Sequence, residues 1–376
     1  MKSRRTRWVV SALLLACGLA LFLRSRPDPV RLSESSHPSQ AGTVESDPEP
    51  GTAGIELRTA ASSPIRGWPS NSEPVEATNW LERLLSEDAP RVSREQIESW
   101  LATHGTNAES LLAARQAGGG RDYLLQALTN FPNDPRVLFA ACALDDTPEA
   151  RRERLDRFKA VAPENALADY LSAREHFKNS DPAAAVRDLV AAAGKNRFQD
   201  YSMDAMQNTE ELLLAAGKSP AEAKAIATSS TLLPHLSQLK GVSQEMAALQ
   251  RQYVAAGDNA SAENLAQYGV LLAQHLSPSE GSHTIIEQLV GIAIERIVLN
   301  PLDASRNYDF LNGTVADRVA QLNQQRQAVR ENTQFISQWM HTANEAEAVS
   351  YFERFKIYGE SAATAWLRQQ KAISPP

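Results

Sequence analysis

Two proline-closed junctions constrain this chain more than any other feature. Phe131-Pro132-Asn133-Asp134-Pro135 and Val161-Ala162-Pro163-Glu164-Asn165 stand 31 residues apart, counted from Pro132 to Pro163. A short amphipathic run precedes each, Tyr123 to Leu128 and Arg154 to Lys159. Proline lacks an amide hydrogen and disfavours a helical residue before it, so each helix must stop at its junction. A new run with small residues on one face follows each. Helix, tight turn and helix at a repeated spacing is the pattern of stacked hairpins, in which no unit can bury its apolar face alone.

Helix punctuation is dense from Asn79 onward. Asn79-x-x-Glu82 and Ser93-x-x-Gln96 have the capping-box pattern, each opening a run with helical apolar spacing. Gly105 closes the second of these helices, and Gly118-Gly119-Gly120 closes the one after it. A capping residue is followed directly by proline at Asp134-Pro135, Thr147-Pro148, Asp181-Pro182 and Ser219-Pro220, the arrangement that suits a first helical turn. No run of alternating β-branched residues predicts a sheet, so the expected class is all-α.

These junctions carry a resemblance. Phe131-Pro132-Asn133-Asp134-Pro135, with Ala127 before it, resembles the close of one tetratricopeptide (TPR) unit and the start of the next. Tyr170-x-x-Ala173-Arg174-x-x-Phe177, with Val186, Val190 and Ala193 downstream, follows the same large-small-large pattern. The spacing departs from the family's repeat of about 34 residues. Arg174 stands where the family has a small residue. The likeness covers roughly residues 108–200 and implies TPR-like helical hairpins, an α-solenoid, over segment 77–200. The whole layout also resembles exported bacterial proteins with helical repeats, which implies a location and no activity.

Past Gln199 the pattern gives way to longer helices, expected as a helical bundle over 201–376, with helices near 204–216, 233–256 and 259–276. Thr284 to Leu299 is apolar almost all round, but Glu287, Glu295 and Arg296 interrupt it, so a buried central helix is expected and not a membrane span. Val315, Val319, Leu322, Arg326, Val329, Thr333, Ile336, Met340 and Ala343 keep a heptad spacing. Arg326 and Thr333 spoil that seam, which predicts a long helix packed on its own domain ahead of a homodimer through 315–343. Val349, Phe352, Phe355, Trp366 and Leu367 then suggest a returning helix pair.

The N-terminal end reads differently. Residues 1–7 are basic (Lys2, Arg4, Arg5, Arg7), and Trp8 to Leu23 carries no charge over 16 residues before Arg24. Segment 8–24 is expected to be an uncleaved signal-anchor transmembrane helix, its arginines reaching the interface. The denser positive charge before it keeps the N-terminus cytoplasmic and exports the rest. Leu14-Leu15-Ala16-Cys17 resembles a bacterial lipobox, so a lipoprotein through Cys17 and a cleaved signal are the alternatives. Segment 25–76, rich in proline and serine, predicts a disordered linker.

A net charge of −7 argues against nucleic acid as a partner. Two cysteines, Cys17 and Cys142, supply neither a disulfide framework nor a cysteine metal site. Each candidate for chemistry has a plainer reading. Ser237-Gln238-Leu239-Lys240 fits the Ser-x-x-Lys pattern of penicillin-recognising acyltransferases, but their Ser-Asp-Asn and Lys-Thr-Gly are absent. Gly359-Glu360-Ser361-Ala362-Ala363 echoes a nucleophile elbow without a preceding strand, and Ser361 reads as a helix cap. His283 and Glu287 share a helix face, where a cap-side hydrogen bond is the better reading. His37, His104, His176, His235, His275 and His341 show no ligand spacing. Gly118-Gly119-Gly120 lacks the Lys-Ser/Thr of a phosphate loop, and Asp145-Asp146 with Glu149 charges the start of the Pro148 helix.

The expectation is therefore a membrane-anchored, extracytoplasmic, non-catalytic module of the bacterial cell envelope that binds a protein or peptide, with no cofactor, metal or catalytic residue assigned. The alternatives are an envelope-polymer enzyme of the peptidoglycan-active kind, which needs a buried carboxylic acid in a cleft, and a coiled-coil structural subunit.

Overall fold

The computed structural model describes residues 80–85, 92–144, 147–231, 233–277 and 284–373. The basic segment, the anchor with Cys17, the linker, Asn79, the Asp145-Asp146 pair and His283 lie outside the described residues. Among the described residues, no helix is long and apolar enough to cross a membrane.

The chain is mostly helical. Helices α1 (Trp80–Leu85), α2 (Arg94–His104), α3 (Ala108–Ala114), α4 (Arg121–Asn130) and α5 (Pro135–Ala141) lead to α6 (Pro148–Val161), α7 (Ala166–Lys178) and α8 (Pro182–Ala193). Then come α9 (Ser202–Ala215), α10 (Pro220–Ser230), α11 (Pro234–Ala255), α12 (Asn259–His275) and α13 (Ile285–Leu299). The long α14 (Val315–Met340), α15 (Glu345–Tyr358) and α16 (Glu360–Ile373) follow.

Local chemistry explains most of the boundaries. The hydroxyls of Ser93 and Ser219 accept from the amides of Gln96 and Glu222, whose side chains return the bond. Asp134, Thr147, Asp181 and Ser219 each cap a helix whose first turn holds proline. Gly118 and Gly120, at φ 113° and 86°, turn the chain after a π-type turn at Arg115–Gly119, so the glycine triplet is a turn as expected.

The helical class holds, with one local addition. A two-stranded antiparallel ladder joins β1 (Asn307–Tyr308) to β2 (Gly313–Thr314). It is too short to show periodicity. Asn312 in left-handed backbone closes its loop, and the buried Tyr308 hydroxyl accepts from the Asp303 amide at 3.1 Å.

Three large apolar clusters and two small ones hold the described residues together. The largest draws on α5 to α8, on α11 to α13, and on Val315 and Leu322 of α14, so it contains residues from both sides of position 200. A second joins α1, α9 and α10 to the end of α14 and to α15 and α16. A third gathers α2 to α5 around Leu212 of α9. Along α14, Val315, Leu322, Val329 and Ile336 are buried against this same chain, while the glutamine-rich face is exposed. Helix α13 sits among α11, α12 and α14 as the buried helix expected of its composition.

Arg174 on α7 lies against Gly241 of α11, where an added Cβ would stand 2.8 Å from Arg174 Nε. Its guanidinium donates to Glu245 at 3.0 Å. The bulk that replaces a small residue on α7 is thus matched by a missing side chain on its neighbour.

Candidate functional site

The paired proline junctions are brought face to face. Pro135 and Arg136 from the first, and Val161 to Asn165 from the second, line a cleft of about 370 Å³. Its third wall runs from the segment between α8 and α9 into the first turn of α9, through Arg197, Gln199, Tyr201 and Asp204.

Asn165 holds that wall in place. It is buried, and its side-chain oxygen accepts from the Leu167 amide at the start of α7 and from the Gln199 amide at 3.0 Å. Its side-chain nitrogen donates to the Gln199 carbonyl at 2.8 Å, and the Ala166 amide donates to the Arg197 carbonyl at 2.8 Å. Segment 197–199 therefore lies bonded beside the second junction, joined through an isolated parallel bridge between Asn165 and Arg197.

Tyr201 takes left-handed backbone (φ 58°), which is strained for a residue with a Cβ. The strain is held by packing, because its ring lies 6.1 Å from Phe139 and 6.4 Å from Phe158. Burial pushes its phenol pKa up. Arg136 is neutralised by a two-point contact with Asp134, at 3.1 and 2.7 Å, and by Glu109. Arg197 extends into solvent with Gln199 as its neighbour, and the cleft's carboxylates, Glu164 and Asp204, are exposed.

Beneath the cleft, Asp200 turns away from its neighbours Gln199 and Tyr201. Its Oδ1 accepts from the Ser202 amide and hydroxyl, at 3.0 and 2.8 Å. Its Oδ2 is buried without a hydrogen-bond partner and lies 3.3 Å from His235 Nε2. His235, 1% exposed, packs its ring edge against Phe139 at 5.4 Å, and Phe139 in turn contacts the Tyr201 ring that lines the cleft. Glu287 approaches from α13, so that one donor atom each from Asp200, His235 and Glu287 lies within 4.8 Å of the others.

The other sequence candidates are placed apart. The Ser237 hydroxyl donates to the Pro234 carbonyl at 2.9 Å, an intrahelical bond. Ser361 is not a cap: it lies inside α16 and exchanges hydrogen bonds with the Gln288 side chain at 2.8 and 3.0 Å, because Gly359 already occupies the position before that helix. Glu287 is cap-side as expected, accepting from the Thr284 amide at 2.8 Å. His104 contacts the Trp100 carbonyl at 3.0 Å, and His275 stacks on Phe198 at 5.3 Å. His176 joins a polar network in which Lys159 stands 3.2 Å from Asp169 and 2.5 Å from Asp188. Glu149 charges the first turn of α6.

Glu360 has the raised pKa an acid catalyst needs, about 7, because its carboxyl is enclosed although part of the residue reaches solvent. That carboxyl accepts from the Ile285 amide at 2.8 Å, at the start of α13, and does not line the cleft.

Sequence reasoning found two walls of the cleft and missed the third. It also missed the meeting of Asp200, His235 and Glu287, since no local pattern marks residues joined only by packing. Compared with known proteins, the chain matches no family model, no curated protein and no solved structure.

Proposed function

We propose that this chain is a non-catalytic interaction module that takes an extended peptide segment of a partner protein in the cleft between its proline junctions. The observation that carries this reading is the cleft itself. Two turns and the segment joined to the second of them enclose about 370 Å³ lined by Tyr201, Arg197, Glu164 and Asp204. An extended peptide offers a donor and an acceptor at every residue, and mixed polar walls beside one aromatic ring suit it. The charge pattern around segment 8–24 supports a location outside the cytoplasm, tethered to the cell membrane.

A photo-crosslinking residue placed at Arg197 tests the reading in intact source cells. Val254, exposed near the end of α11, serves as the control position. The expected result is a discrete adduct with one protein from position 197 and none from 254. No adduct, or the same adducts from both positions, would overturn it.

A further inference from the structure

Three elements start at one point. Asp200 stands two residues before α9, His235 is the second residue of α11, and Glu287 is the third of α13. Their donor atoms converge within 4.8 Å, and all three side chains are largely removed from solvent. Neither ring nitrogen of His235 has a hydrogen-bond partner, and Asp200 Oδ2 has none either. Interior polar atoms left this way cost free energy, and native structures rarely tolerate several together.

A protonated histidine paired with Asp200 accounts for the cluster poorly. A charge-assisted hydrogen bond closes to about 2.7–2.9 Å, whereas His235 Nε2 stays 3.3 Å from Asp200 Oδ2 and forms no hydrogen bond. That separation instead suits two donors on one tetrahedral ion, onto which the Glu287 oxygen, within 4.8 Å of both, would close. Metal–donor bonds of about 2.0–2.1 Å at tetrahedral angles set neighbouring donors roughly 3.3–3.4 Å apart.

We propose that Asp200, His235 and Glu287 form a binding site for a divalent transition-metal ion of the Zn²⁺ class, with water completing the coordination. One imidazole and two carboxylates suit zinc and its neighbours, and the absence of thiolate disfavours softer ions. The three helix starts contribute about half a positive charge each. The two carboxylates outweigh them, and the bonds from Ser202 to Asp200 and from Thr284 to Glu287 hold both carboxylates in orientation. The ion would tie the start of α9 to α11 and α13. The site stands independently of peptide binding, because its donors are not cleft residues.

The test uses the full chain, untagged, stripped with chelator and titrated with Zn²⁺ and with Co²⁺. We expect one saturable site per chain and X-ray absorption showing only nitrogen and oxygen donors. Asp200→Asn and Glu287→Gln should each weaken binding at least tenfold, and His235→Ala should abolish it. His104→Ala, at an exposed histidine, should leave it unchanged. The Asn and Gln variants keep the acceptors for Ser202 and Thr284, so circular dichroism should show them folded where His235→Ala fails. Absence of saturable uptake by the wild-type chain overturns the proposal, as does uptake that Asp200→Asn and Glu287→Gln leave intact. A peptide adduct at Arg197 without metal uptake would sink the metal site alone.

Discussion

A methyl group added at Gly269 of α12 would fall 2.5 Å from Val298 Cγ1 and 2.9 Å from its Cβ on α13. Val298 is fully buried and β-branched, so it cannot rotate aside. Gly269→Ala is therefore expected to destabilise the chain by up to about 2 kcal/mol, the overpacking cost less the roughly 1 kcal/mol that alanine gains in a helix. Urea denaturation checks this. Gly241→Ala should cost less, because the obstructing atoms there are the far end of the flexible Arg174 side chain. Neither glycine announces itself in the sequence, since each is defined by a side chain on another helix. Tyr201 is hidden for a related reason. Positive φ is readable at glycine, as at Gly105, but not at a tyrosine held there by Phe139 and Phe158.

Helix ends were legible because caps are local. Ser93, Asp134, Thr147, Asp181 and Ser219 bond amides within three residues, so the pattern and the contact coincide. The start of α13 shows the limit. Its Thr284–Glu287 capping box is local, but its Ile285 amide is taken by Glu360 from α16, 75 residues away. Enclosure raises the Glu360 pKa from 4.5 to about 7, so below pH 4.5 the group is protonated in both folded and unfolded chains and costs nothing. Between those values only the unfolded chain loses the proton, and stability falls as pH rises. The loss is then constant above about pH 7 and amounts to at most about 3 kcal/mol. Glu360→Gln keeps the acceptor for Ile285 and removes the titration. Its stability relative to wild type should rise from pH 4.5 to 7 and level off, measured by denaturant titration across that range.

At the scale of the molecule, the class was legible and the closure was not. Capped, proline-punctuated runs specify helices, and the apolar stripe of α14 specifies one face to bury. Which helices meet is decided by contacts such as that of Trp80, whose Nε1 donates to the Ala343 carbonyl at 3.0 Å across 263 residues. The same distance limit hid the cluster of Asp200, His235 and Glu287, which no spacing rule connects. Trp80 is buried in the cluster that includes Trp339, Phe352 and Leu367. Trp80→Ala should cost about 3–5 kcal/mol and increase hydrogen exchange in α15 and α16 before it does so in α11 to α13.

The seating of α1 has a mechanical meaning. Trp80 lodges among the last helices, and Arg83 reaches both Glu222 on α10 and Glu345 on α15. A pull directed backward along the chain from residue 80 meets this latch first. The latch shares no residue with the walls of the cleft, and its apolar seat belongs to a different cluster from α6 and α7. Tension on that end is expected to peel this six-residue helix before it disturbs the cleft, whose walls share none of its contacts.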